Sequence, residues 1–195
     1  MPVNMCLNRL TLVVASGAVL AACANPDWDR SQNRLAAHMT VGPWIHPPMG
    51  AVLFCEKHES ECPEQPSQPH EVTMSPGRWN DLRAVQDAVN RRIDSASTAE
   101  IDWHYPHGRI GNCVQYALEK RRELITRGWP SGALLLATVV TPNRNRHLLL
   151  VIATTEGDWV LDNLVSGITR WNDLPYKWIA RQQAASIRNW VSIRS

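Results

Sequence analysis

Residues 111–130 read GNCVQYALEKRRELITRGWP and residues 133–162 read ALLLATVVTPNRNRHLLLVIATTEGDWVLD, and the order of these two blocks decides the fold. In the first block Asn112 can cap a helix running from Cys113 to about Arg127, because its side-chain oxygen can accept from a free N–H of the first turn. Val114, Ala117, Leu118, Leu124 and Ile125 then face inward, and Gly128 supplies the left-handed stop. In the second block residues 133–140 are an unbroken apolar run, the pattern of a strand buried on both faces. Residues 141–146 form a turn, 147–153 a second strand, Glu156-Gly157-Asp158 a hairpin turn and residues 159–162 a third strand. Residues 178–180 and 187–193 add two more. Upstream, Ser75-Pro76 begins another helix, with Trp79, Leu82, Val85, Val89 and Ile93 as one apolar stripe. N-terminal helices packed on an antiparallel sheet make an α+β domain.

The chain has 195 residues, with 20 Lys+Arg against 18 Asp+Glu. That balance offers no electrostatic footprint for nucleic acid. At the N-terminus Arg9 precedes the apolar residues 10–20, about half the ~20 residues that a membrane-spanning helix needs. Leu20-Ala21-Ala22-Cys23 is a small-residue box ending in a cysteine. Residues 1–22 therefore read as a lipoprotein signal peptide, with Cys23 lipidated after cleavage. Residues 23–42 read as a flexible tether and residues 43–195 as one domain. The expected location is periplasmic, anchored by lipid to the outer membrane. A soluble periplasmic protein, cut near Ala22 or Ala24, is the alternative. Residues 44–54, with Pro43, Pro47, Pro48 and Gly50 around a short apolar run, suggest an irregular lead-in.

Export orders the cysteines. Cleavage removes Cys6 and lipidation occupies Cys23. Cys55 and Cys62, seven residues apart in a loop-like stretch, can form a disulfide in an oxidising compartment or stand as two reduced thiols. Cys113 is left over, either buried and inert or reactive. Its place at a helix start favours the thiolate, since free N–H groups there stabilise an anion. A thiol nucleophile needs a base, and His147 opens the strand after the 141–146 turn. An imidazole in turn needs a group that sets its tautomer, and Asp162 ends the next strand. If the turn centres between Glu156 and Gly157, alternation puts Asp162 and His147 on one face, with Asp162 opposite Val151. The plainer roles are a core cysteine, a satisfied histidine and a turn-forming aspartate.

From Phe54 to about Gln182 the chain resembles the bacterial transglutaminase-like cysteine peptidases, the periplasmic family that includes the protease releasing a giant biofilm adhesin. The likeness is carried by Phe54-Cys55 with Cys62, by Gly111-Asn112-Cys113 leading into Tyr116-Ala117-Leu118 and Lys120-Arg121-Arg122, by Gly128-Trp129-Pro130 with residues 133–136, and by His147 with Val160-Leu161-Asp162-Asn163-Leu164. It implies a papain/transglutaminase-like domain in which Cys113 is nucleophile, His147 base and Asp162 orienting carboxylate. It also implies an indole oxyanion donor near Trp103, although the Cys113 backbone N–H is the plainer donor.

One departure stands out. The family pattern around the nucleophile is Gly-Asp-Cys-Glu-Asp, and in the adhesin-releasing branch those acids bind calcium. Here the residues are Gly111-Asn112-Cys113-Val114-Gln115, so three carboxylates are gone and no calcium or other cofactor is expected. The expected function is a periplasmic thiol peptidase acting on an exported or surface protein. Two alternatives share the scaffold. One is a catalytically degenerate, lipid-anchored binding module, to which the nine Trp residues would suit an aromatic groove. The other is acyl transfer to an amine.

Overall fold

The computed structural model describes residues 37–64, 69–96, 103–184 and 186–194. Residues 1–36, with the expected signal, Cys23 and most of the tether, lie outside the described residues. Seven strands form an antiparallel sheet in the order β1-β9-β8-β4-β5-β6-β7. They are β1 Val41–Ile45, β4 Leu134–Val140, β5 Arg146–Thr154, β6 Gly157–Leu161, β7 Ile168–Arg170, β8 Lys177–Gln183 and β9 Ser186–Ile193. A two-residue pair, β2 Asp94–Ser95 with β3 Ile110–Gly111, stands apart from it. Three α-helices are present among the described residues: α1 Met49–Lys57, α2 Pro76–Arg92 and α3 Cys113–Thr126.

Alternation divides the central strands between two cores. Leu134, Leu136, Leu148, Leu150, Ile152 and Leu161 pack with Phe54 of α1, Leu82, Val85 and Val89 of α2, and Ala117, Leu118 and Leu124 of α3. Leu135, Ala137, Val139, Leu149, Val151 and Val160 pack on the other side with Met39, Leu174 and Trp178. Both faces are covered, which is why β4 and β5 read as continuous apolar runs.

Helix α2 begins as its sequence expects, with Ser75 Oγ accepting from Arg78 N at 3.2 Å and Pro76 in the first turn. Several elements differ from expectation. The lead-in contains a regular helix, α1, because Pro47 and Pro48 precede its first turn, where a missing N–H is harmless. Ala51, Phe54 and Cys55 then recur at helical spacing and are buried. The sheet starts at Val41, with Arg194 N donating to Thr40 O and Met39 N to Asp158 Oδ2, so residues 39–42 belong to the folded domain. Ile125 is not inward but 37 % exposed, since the last turn of α3 borders an open cavity. As the sequence leads one to expect, Cys55 and Cys62 are joined as a disulfide, with Cα atoms 5.6 Å apart, closing the turn that follows α1.

The hairpin turn also moves. It falls at Thr155-Glu156, because Thr154 Oγ1 receives Glu156 N at 3.2 Å and donates to Gly157 O at 2.6 Å. Gly157, at φ +119°, is already the first residue of β6, and a Cβ there would lie 2.6 Å from Ala37.

Helix α3 carries one anomaly inside the core. Lys120 is fully buried, its ammonium nitrogen lies 5.7 Å from the Tyr116 ring centroid, and Nζ has no hydrogen-bond partner among the described residues. Burial, only partly opposed by the Asp162 carboxylate, lowers its pKa to about 7. Because the unfolded lysine keeps its proton up to about pH 10.4, this group makes the fold less stable below that value, and most below pH 7. Lys120→Met is expected to raise stability by on the order of 1–4 kcal/mol in denaturant titrations at pH 6. The gain should shrink as pH rises toward 10, and an equal gain at both pH values would remove the titrating amine as its cause.

Candidate active site

The chemistry gathers where the N-terminus of α3 meets the start of β5 and the end of β6. Asn112 Oδ1 accepts from Val114 N at 2.9 Å, and Gln115 Oε1 accepts from Asn112 N at 2.8 Å, a reciprocal cap that fixes the first turn of the helix. Cys113 is thereby the first helical residue. It is half-buried and is the free cysteine among the described residues.

His147 and Asp162 come together through the shifted register. Leu161 pairs with Leu150 and Val160 with Val151. Continued by one residue, that register sets Asp162 across from Leu149 rather than Val151. This is one diagonal step from His147 and keeps both on the same face. His147 Nε2 and Asp162 Oδ1 are 2.6 Å apart, with both side chains almost wholly buried. Cys113 and His147 are close enough for each to shift the pKa of the other.

Each ionisation has a physical cause. Burial would raise the Cys113 pKa, but the hydrogen bond with His147, a second from Leu148 N–H and the imidazolium charge pull it below the usual thiol value. Burial would lower that of His147, yet hydrogen bonds to Asp162 and Cys113, with their charges, raise it to about 9. Asp162 is pushed up by burial and brought down further by His147, Tyr176 and Leu164 N–H. Both shifts favour a thiolate beside an imidazolium.

Three supporting residues escaped the sequence reading. Tyr176 donates its hydroxyl to Asp162 Oδ2 at 2.7 Å, and its ring stands edge-on to His147 with centroids 6.1 Å apart. Gln86, buried on α2, donates to Asp162 O at 2.7 Å, Val165 O at 3.2 Å and Gly167 O at 2.9 Å, and Asn90 also donates to Asp162 O at 3.2 Å. These bonds pin the loop after β6 to α2. Gln86 and Asn90 lie on a helix with ordinary polar spacing, and Tyr176 follows a proline in a loop, so nothing local marks them. Trp103 is buried, its ring 6.1 Å from that of Trp190 in the main core.

At the family's acidic positions the side chains are already engaged. Gln115 gives its oxygen to Asn112 N and its amide nitrogen approaches His104 O at 3.3 Å, while Asn112 Oδ1 caps the helix. Val114 has no ligating side-chain atom, and calcium prefers several hard and partly anionic oxygens.

A free thiol at the first residue of a helix, packed against an antiparallel sheet, is a transglutaminase-like α+β arrangement. The chain belongs to the bacterial transglutaminase-like cysteine proteinase family, whose sequence profile, described as "Bacterial transglutaminase-like cysteine proteinase BTLCP", matches residues 41–195. Among solved structures it is similar to Legionella pneumophila LapG, with 22% identity and a TM-score of 0.50 over 57% of this chain and 66% of that one. Similarity to EGTA-treated LapG is 20% identity and TM-score 0.52 over 63% and 70% of the two chains. For calcium-bound LapG the values are 21% and 0.52 over 61% and 71%. At these identities the likeness shows the fold, and the chain spans just under two thirds of the first LapG structure. A search of curated protein sequences returned no match.

The thiol should titrate through its partner. In wild type, iodoacetamide alkylation of Cys113 is expected to plateau below pH 9, and in His147→Ala the thiol pKa should rise because burial and the Asp162 charge are then opposed only by Leu148 N–H. At pH 7 the variant should alkylate more slowly, because a smaller fraction of the thiol is ionised. Superimposable pH profiles, measured by intact mass, would show that His147 does not ionise the thiol.

Proposed function

We propose that this protein is an exported thiol peptidase that cleaves an amide bond of a periplasmic or surface protein through a thioester on Cys113. What supports this reading is the 2.6 Å contact of His147 Nε2 with Asp162 Oδ1, beside a Cys113 thiol whose pKa His147 lowers. The Cys113 thiolate attacks the scissile carbonyl carbon, and the carbonyl oxygen takes the negative charge, accepting from the Cys113 backbone N–H. Trp103 is a second candidate donor by resemblance. As the C–N bond breaks, His147 passes its proton to the leaving amine. Neutral His147 then takes a proton from water, whose oxygen attacks the thioester and restores the thiol as the carboxylic acid leaves. Asp162 holds the ring through Nε2 and stabilises its charge. Tyr176 and Leu164 N–H keep that carboxylate ionised.

An anchor on Cys23 would confine the enzyme to the outer membrane and to proteins within reach of its tether. No calcium is needed in this reading, because the side-chain oxygens of Asn112 and Gln115 serve the helix cap. Isothermal titration is expected to show no stoichiometric calcium binding that depends on Asn112. Tight binding abolished by Asn112→Ala would overturn that.

Activity should require the charged pair and therefore decline above about pH 9, where His147 loses the proton destined for the leaving group. Comparison of exported and surface proteins between wild-type and Cys113→Ala cells should reveal new N-termini present only with the wild-type enzyme. Identical N-termini in both, with full complementation of a deletion strain by Cys113→Ser, would replace the peptidase by a binding scaffold.

A further inference from the structure

A cavity of about 390 Å³ opens where the C-terminal half of α3 meets the disulfide-closed turn after α1 and the turn between β8 and β9. It is remote from the thiol. Leu134, next to its rim, pairs with Ile152, whereas Val139 pairs with His147 at the opposite end of the β4–β5 hairpin.

Arg121 lines this cavity while being only 5 % exposed. Its Nε donates to Leu134 O at 3.2 Å, which is its hydrogen bond among the described residues, so the Nη groups retain four N–H donors. No carboxylate among the described residues forms a salt bridge with it. The acid nearest in effect is Glu61, which also lines the cavity but accepts from the Tyr105 hydroxyl and lies 3.8 Å from His58. The adjacent Arg122 is paired with Glu119. A buried guanidinium without a counter-ion is costly, and a planar carboxylate is the partner that its fork matches.

The remaining lining narrows the ligand. Trp129, Ile125 and Ile187 face the same space, so it offers apolar surface beside the donors. Its volume falls in the range of organic-ligand pockets and exceeds what a bare oxyanion fills.

We propose that this cavity is a binding site for a carboxylate carried on a peptide, with Arg121 as the bidentate partner and the apolar wall receiving the neighbouring side chain. The site would hold a peptide segment without contact to the reacting sulfur. It stands on its own geometry and does not require the peptidase reading.

Isothermal titration on the full chain can use three probes: N-acetyl-leucyl-tryptophan as the free acid, the same peptide as its C-terminal amide, and inorganic phosphate. The free acid is expected to bind roughly tenfold or more tighter than the amide, as loss of a charge-assisted bidentate pair implies. Arg121→Lys should lose most of that preference, and Glu61→Gln, which removes a competing negative charge but keeps an acceptor for Tyr105, should tighten binding several-fold. Equal affinity for acid and amide, or a preference unchanged in both variants, would overturn the site. Phosphate binding tighter than the free acid would overturn its assignment to a peptide. Thermal unfolding checks that Arg121→Lys is folded, and Glu61→Gln tests the site without touching the buried arginine. Cys113 alkylation on the same samples keeps failure here distinct from failure of the proposed chemistry.

Discussion

A single buried carboxylate organises the site. Asp162 sits at the end of β6 with almost no exposure, where an unpaired charge would be driven to neutralise. It remains ionised because His147, Tyr176 and Leu164 N–H all donate to it. Its backbone carbonyl is separately held by Gln86 and Asn90 from α2. The carboxylate thus links a strand end, a loop and a helix. His147, at the start of β5, lies close to the first turn of α3, so the site depends on the docking of both helices against one end of the sheet.

The first turn of α3 shows how one substitution pattern can serve another purpose. Asn112 and Gln115 stand where the resemblance leads one to expect acids, and here their side chains close a reciprocal cap around Cys113. The cap orders the helix start and leaves N–H groups near the sulfur without placing negative charge beside it. Farther down the same helix, Lys120 and Arg121 are both buried, one without a hydrogen-bond partner for its nitrogen among the described residues and one lining a cavity. Helix α3 is therefore more than a support for the thiol.

Much of the fold was legible in the residues. Strands β4 and β5 announced themselves because both faces are covered, and α2 and α3 carried caps as well as apolar stripes. Helix α1 was hidden because prolines next to a short apolar run resemble a loop, although at a helix start they cost little. Strand β1 escaped because an edge strand buries little: only Gly42 of its five residues is even half-buried. Cys113, His147 and Asp162 could be proposed from residue chemistry. The distance between the last two could not, since a hairpin turn displaced by one residue changes which residues face each other across it.

The sequence by itself determined the order of helices and strands, and a cysteine at a helix start flanked by Asn112, Val114 and Gln115. Those depend on neighbours along the chain, where propensity, capping and alternation act. Only tertiary structure decided that Thr154 closes the turn and so brings Asp162 to His147, that Tyr176 and Gln86 hold the carboxylate, and that Arg121 lies buried beside an open cavity. These are contacts between residues far apart in the chain. They form where packed surfaces meet, and no local pattern encodes where that will be.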